Sequence, residues 1–273
     1  MPLMRCSDLS QVRAFCSDQP IRYRHLLHAL NPPCPEWDAA LGTAGDEPAA
    51  FYVDTPTRPA LVACLRGGTL QIEGEVAKGQ REALIAWCRQ LAPQRVFTTS
   101  SAQQHLLSDA FGLALEQWEQ DGQYTAAQDG FSPRLTRPVR RLTAADRRRW
   151  ERFVARHADE PIMTLGIRDF DLMARGLPIT LYVTESEQVS EITGVLTVVP
   201  YTYSCDEIAM VFVEPEYRRR GNANSMLSEA TYNILRRGHL PGYSADHNRP
   251  ELISMLTAVG YVFITLTWYA QVG

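Results

Sequence analysis

No apolar run in this sequence approaches the ~20 residues that a membrane-spanning helix needs. The longest, Ile192 to Pro200 and Tyr261 to Leu266, have the length of a strand. The opening stretch MPLMRCSDLSQVRAF holds no long apolar segment ahead of a small-residue cleavage site, so no secretory leader is expected. The six cysteines (Cys6, Cys16, Cys34, Cys64, Cys88 and Cys205) never form a C-x-x-C pair, which argues against a zinc or dithiol centre and suits a reducing cytoplasm. Cys205 is expected to be a small buried hydrophobe. A formal net charge of -4 lacks the positive excess of a dedicated nucleic-acid binder. Neither nucleic acid nor membrane is expected as a partner, and no metal. The phosphate-loop pattern G-x-x-x-x-G-K-[ST] and the dinucleotide pattern G-x-G-x-x-G are also missing.

The 273 residues, 45% hydrophobic and 21% charged, have the balance of a globular protein of one to two domains. A proline-rich stretch runs from Asn31 to Pro59, and a second break, with Gly130, Pro133 and Pro138, runs from Asp129 to Pro138. The second is the better boundary, giving domains 1–132 and 133–273. After it, VRRLTAADRRRWERFVARH reads as a short strand and a helix, with Thr143 as N-cap and Asp146 adding negative charge near the helix start. Its arginines, at 147 to 149, 152 and 156, read as a solvated face.

Beyond Pro178 the segments ITLYVTE, EITGVLTVV and DEIAMVFV are rich in β-branched and aromatic residues and read as three strands. A helix is expected from Asn222 to Arg237, ended by Gly238, then a strand GYSAD, a helix PELISMLTAV ended by Gly260, and a strand YVFITLTWYA. This is a mixed α/β pattern, of the α+β kind. The first half echoes it. FYVDTPTRPALVACL (51–65) aligns with LYVTESEQVSEITGVL (181–196), and Gly112 in LLSDAFGLAL aligns with Gly260. A duplication is inferred, in which only the second copy keeps the segment described next.

That segment is EPEYRRRGNANSM, Glu214 to Met226: three arginines, a small-residue turn and the start of a helix. The first turn of a helix leaves backbone N–H groups without partners and carries partial positive charge, so anions bind there. Gly221 and Ala223 let a phosphate approach the backbone, and Arg218 to Arg220 add full charges.

Arg218-Arg219-Arg220-Gly221-Asn222-Ala223 resembles the [QR]-x-x-G-x-[GA] signature of the GNAT superfamily of acyl-CoA-dependent N-acyltransferases. MVFVEPEY is similar to the family's fourth strand and NRPELISMLTAVGY to its later glycine-aromatic segment, so the likeness covers about residues 138 to 270. The resemblance implies two tandem GNAT-like mixed-sheet halves, the first degenerate, and acetyl-CoA as co-substrate. It implies that Val211, Phe212 and Val213 pair with the pantetheine arm. It further implies that Arg218, Arg219, Arg220, Gly221, Asn222, Ala223 and Asn224 take the pyrophosphate, and that Asn248 stands near the arm.

Acyl transfer to nitrogen needs a neutral amine, hence a base. The resemblance points to Glu207, six residues before Val213, while Asp206 has the opposite strand parity. The tyrosine that the family often uses as acid is replaced by Leu256, leaving His247 or Tyr243, or no acid, since a thiol of pKa ~8.5 leaves as thiolate. Tyr201 and Tyr203 are candidates for the acceptor pocket. The expected activity is acetyl transfer to a primary amine of a small molecule or peptide, with a homodimer left open. The alternatives are a non-catalytic acyl-CoA sensor and transfer of longer acyl groups.

Overall fold

The computed structural model describes residues 3–30, 48–188 and 190–273; Cys34 and most of the proline-rich stretch lie outside them. The chain forms two compact units, Met1–Gln123 with Ile264–Gly273, and Tyr124–Phe263. The last strand, assigned to the second half on sequence, thus belongs with the first unit.

In unit 1, strands β1 (Met4–Arg5), β2 (Ala50–Val53), β3 (Leu61–Arg66) and β4 (Thr69–Gly74) run antiparallel in order. Between β3 and β4 only Gly67 and Gly68 remain, both at positive φ (51° and 71°), as a two-residue hairpin turn requires. Strand β5 (Arg95–Thr98) is parallel to β4, and the C-terminal part of β12 (Val262–Gln271) adds antiparallel to β5. Period-two alternation sorts the side chains. Phe51, Val53, Val62 and Cys64 pack with helices α1 (Leu9–Ser17) and α2 (Arg24–Ala29). Leu61, Ala63, Leu70 and Ile72 pack with α3 (Arg81–Leu91) and α4 (Ser101–Phe111).

Unit 2 repeats the plan. Strands β7 (Arg140–Arg141), β8 (Thr180–Glu185), β9 (Ile192–Pro200) and β10 (Cys205–Val213) are antiparallel neighbours, and β11 (Leu240–Ala245) is parallel to β10. One face carries α5 (Arg147–Arg156) and α6 (Ile162–Ala174), where Trp150 stacks on Phe170 and Phe153 meets Phe212 edge-on. The other carries α7 (Asn222–Arg236) and α8 (Pro250–Val259), whose Met226, Leu227, Ile234 and Leu256 pack with Leu196, Val198 and Ile208. Strand β6 (Glu119–Thr125) straddles the division between the units.

The duplicated order, three antiparallel strands, helix, parallel strand, helix, is therefore real. Gly112 and Gly260, aligned on sequence, end the last helix of that order, α4 and α8, in the left-handed conformation, at φ 68° and 97°. Before α5, the Thr143 N–H and hydroxyl donate to the Asp146 carboxylate at 2.9 and 3.1 Å, closing a short 3₁₀ turn. The α5 arginines are not simply a solvated face. Arg149 pairs with Glu185 at 2.6 Å and Arg156 with the buried Glu214 at 2.9 Å.

Candidate functional site

Strand β10 pairs with β11 only as far as Ile208 and Tyr243, while it stays paired to β9 out to Val213. Its edge toward β11 is therefore open over the last five residues, 209 to 213. A cleft of about 1030 Å³ opens there, lined by Val211–Val213, by the turn and first helical residues Tyr217–Arg219 and Gly221–Asn224, and by Leu252, Met255 and Ala258 of α8.

The turn is shaped for an anion. Arg219 and Gly221 both take positive φ, 59° and 83°, and no side chain caps the first turn of α7. Alternating left-handed residues turn successive backbone N–H groups to one side, and the helix start adds its partial positive charge. At Gly221 a Cβ would collide with the Thr136 hydroxyl, so the position needs glycine for space as well as for φ. The segment holding Thr136, read as a domain boundary on sequence, is tied along α7. The Ser225 hydroxyl, fully buried, accepts from the N–H groups of Thr136 and Arg137 at 3.0 Å each, and the Ser228 hydroxyl accepts from that of Arg134 at 2.8 Å. Arg137 Nε donates to the Arg220 carbonyl at 3.1 Å, holding the turn from outside.

The expected arginines part company. Arg218 Nε donates to the Val213 carbonyl at 2.9 Å, Arg220 lies over the Tyr217 ring, and Arg219 lines the cleft. The Asn222 amide turns back to the Tyr217 carbonyl at 2.7 Å and braces the turn, leaving its backbone for a ligand. Ala223 and Asn224 line the cleft; Asn248 does not, its N–H being held by Asp246 at 2.9 Å. Missed on sequence were Arg249 and the Glu160–Ile162 segment at the start of α6, which also line it. So was Glu214, whose carboxylate takes Arg156 and His157 at 2.9 and 2.8 Å and anchors the end of β10.

Glu207 is buried, not a solvent-facing strand charge, and accepts from the Ser244 hydroxyl at 3.1 Å. It has room because Gly242, its partner across the β10–β11 pair, has no side chain: a Cβ there would lie 2.6 Å from Glu207 Oε2. Asp206 faces the other way, holding Arg237 at 2.5 Å and His239 at 3.2 Å near the end of α7. A bulge at Ala209 shifts the register between Ile208 and Met210, so Glu207 shares a sheet face with Met210 and Phe212, opposite Val211 and Val213.

Tyr243 does not reach the cleft. It packs in the core of α7 and α8, where burial pushes its hydroxyl up to about 12. His247 is exposed, and its Nδ1 lies 2.9 Å from the hydroxyl of Tyr124, a buried residue that the sequence reading did not single out. Tyr201 is buried and Tyr203 is exposed; Cys205 is fully buried as expected.

No family model and no curated protein matches the sequence. Solved structures do match in fold. A Drosophila protein aligns over 99% of this chain and 98% of its own, with TM-score 0.62 and 15% identity. A GNAT-family acetyltransferase from Colwellia psychrerythraea aligns over 98% and 99%, with TM-score 0.57 and 13% identity. A tandem GNAT protein from the clavulanic acid biosynthesis pathway aligns over 99% and 98%, with TM-score 0.53 and 14% identity. The chain has the GNAT fold, in two tandem copies.

Proposed function

We propose that this chain is an N-acetyltransferase that moves the acetyl group of acetyl-CoA to a primary amine, on a small molecule or a peptide, by direct attack. The observation that carries the reading is the uncapped start of α7, with Gly221 at φ 83°, set beside the open edge of β10. That combination suits a ligand with a pyrophosphate and an extended amide-bearing arm. Arg219 and the backbone of Gly221–Asn224 would hold the pyrophosphate, and Val211–Val213 the arm. Bound acetyl-CoA supplies the activated carbonyl; this chain's residues position the amine and move protons. Glu207, one pair before β10 and β11 part, takes the ammonium proton. His247, oriented by Tyr124, returns a proton to the departing thiolate. The described cysteines are all free, in keeping with work in a reducing cytoplasm.

A second reading, a CoA-binding sensor without turnover, is favoured by one observation: Leu256, in the position where the family often has its acid, is fully buried. Thiol release from acetyl-CoA across a panel of amines separates the two. The enzyme reading expects turnover with at least one amine and a loss of about 10²-fold or more in kcat for Glu207→Gln, with CoA affinity kept. Tight CoA binding with silence across the panel overturns it. Butyryl-CoA beside acetyl-CoA reads the acyl preference.

A further inference from the structure

The degenerate half has a cleft of its own. About 780 Å³ in volume, it lies where β4 ends and α3 begins, the place in unit 1 that matches the turn of unit 2. Gly79 there has φ 84°, beside 83° at Gly221. No side chain caps the first turn of α3, and unlike Gly221 no atom stands within 4 Å of where a Cβ of Gly79 would be. Next to Gly79 is Lys78, the only lysine in the sequence, exposed and without an ion pair among the described residues. Arg81 is held by Asp109, and Arg22 donates to the Thr99 hydroxyl at 3.2 Å, so among the described residues Lys78 is the uncommitted cation on this wall.

A second observation is independent of the helix start. Gln103, from α4, lines the same cleft and is 2% exposed; its Nε2 donates to the Gly74 carbonyl at 2.6 Å, while its Oε1 has no hydrogen-bond partner. A buried acceptor left unmade is costly, about 1–3 kcal/mol, so a ligand that brings a donor to Oε1 gains that much. The same side chain limits what can enter. In unit 2 the edge of β10 is open, whereas in unit 1 Gln103 occupies the carbonyl at the end of β4. Glu73 bridges the parting strands, accepting from the Thr99 N–H and hydroxyl at 2.8 and 2.6 Å. A long arm laid along the strand is excluded; a compact ligand at the turn is not. Glu75 also lines the cleft and disfavours a diffuse anion site, so the charge is taken locally, by Lys78 and the amides of the α3 start.

We infer that unit 1 holds a second, separate ligand site, for a compact phosphate monoester that also carries a hydroxyl or amide donor: phosphate on Lys78 and the α3 start, donor on Gln103 Oε1. This goes beyond the transferase reading and does not depend on it. The single lysine provides the readout. In the full chain, the rate at which an amine-acylating reagent modifies Lys78 is followed by peptide mass with ribose 5-phosphate, inorganic phosphate or ribose at about 10 mM, well above a millimolar Kd. Ribose 5-phosphate is expected to slow modification at least fivefold, phosphate less and ribose not at all. Gln103→Met is expected to reduce ribose 5-phosphate to the level of phosphate. Arg219→Ala, which alters the proposed CoA site of unit 2, is expected to leave the protection of Lys78 by ribose 5-phosphate as in wild type, so failure here and failure of the CoA reading are told apart. Unchanged Lys78 modification with both phosphates, or equal protection by ribose, would overturn the inference. So would ribose 5-phosphate protection that survives Gln103→Met.

Discussion

Glu73 is completely buried on β4, and the loss of water around it pushes its carboxyl up to about 7, against ~4.3 in an unfolded chain. Because the folded-state value is the higher one, the native state binds the extra proton between these limits, and unit 1 loses stability as pH rises from about 4.5 to 7. Glu73→Gln has no proton to lose. Its stability relative to wild type is expected to climb through that window and level off above pH 7, by roughly 3–4 kcal/mol if the full difference is realised. Urea midpoints of the two proteins at pH 4.5, 6 and 8 read this, and parallel pH curves would contradict it. At Gly221 the expectation concerns binding. Gly221→Ala places a Cβ against Thr136 at a φ that costs an L-residue about 1–2 kcal/mol, and CoA affinity measured by calorimetry should fall at least tenfold. That position was legible because the [QR]-x-x-G-x-[GA] pattern names the glycine. Tyr124 was not, since nothing local in its sequence says that it will meet His247, 123 residues away.

At the scale of elements, the order of strands and helices in unit 2 could be read from period-two and helical patterns, and α8 occupies the segment PELISMLTAV that was expected. The bulge at Ala209 could not. It depends on how β10 meets β9, and it puts Glu207 on the sheet face opposite Val211, where an unbroken strand would have kept them together. The segment from Arg134 to Arg137 was misread for a similar reason: proline and glycine mark it as irregular, but Ser225 and Ser228, on a distant helix, decide where it lies. Ser225→Ala removes the acceptor of two backbone N–H groups and should cost about 1–3 kcal/mol. Amide exchange at Thr136 and Arg137 is expected to speed up, with exchange in α6 unchanged. Protection that persists at both amides would show that Ser225 does not hold the segment.

For the whole molecule, the duplication was visible in the Tyr52/Tyr182 and Gly112/Gly260 matches, whereas the allegiance of the last strand was hidden. A strand pattern shows that YVFITLTWYA pairs with a sheet, not which sheet takes it. Trp268, Ala270 and Val272 pack into the core of unit 1, and β12 covers the edge of β5. Removing residues 264–273 should therefore strip unit 1 of its protection against proteolysis while leaving α7 resistant. The proposed activity requires that the open end of β10 and the turn after it receive CoA. Amide hydrogen exchange along the full chain, with and without CoA, tests this most directly. Slowed exchange concentrated at residues 211–213 and 218–224 is the predicted result, and CoA that leaves these amides unprotected would contradict it.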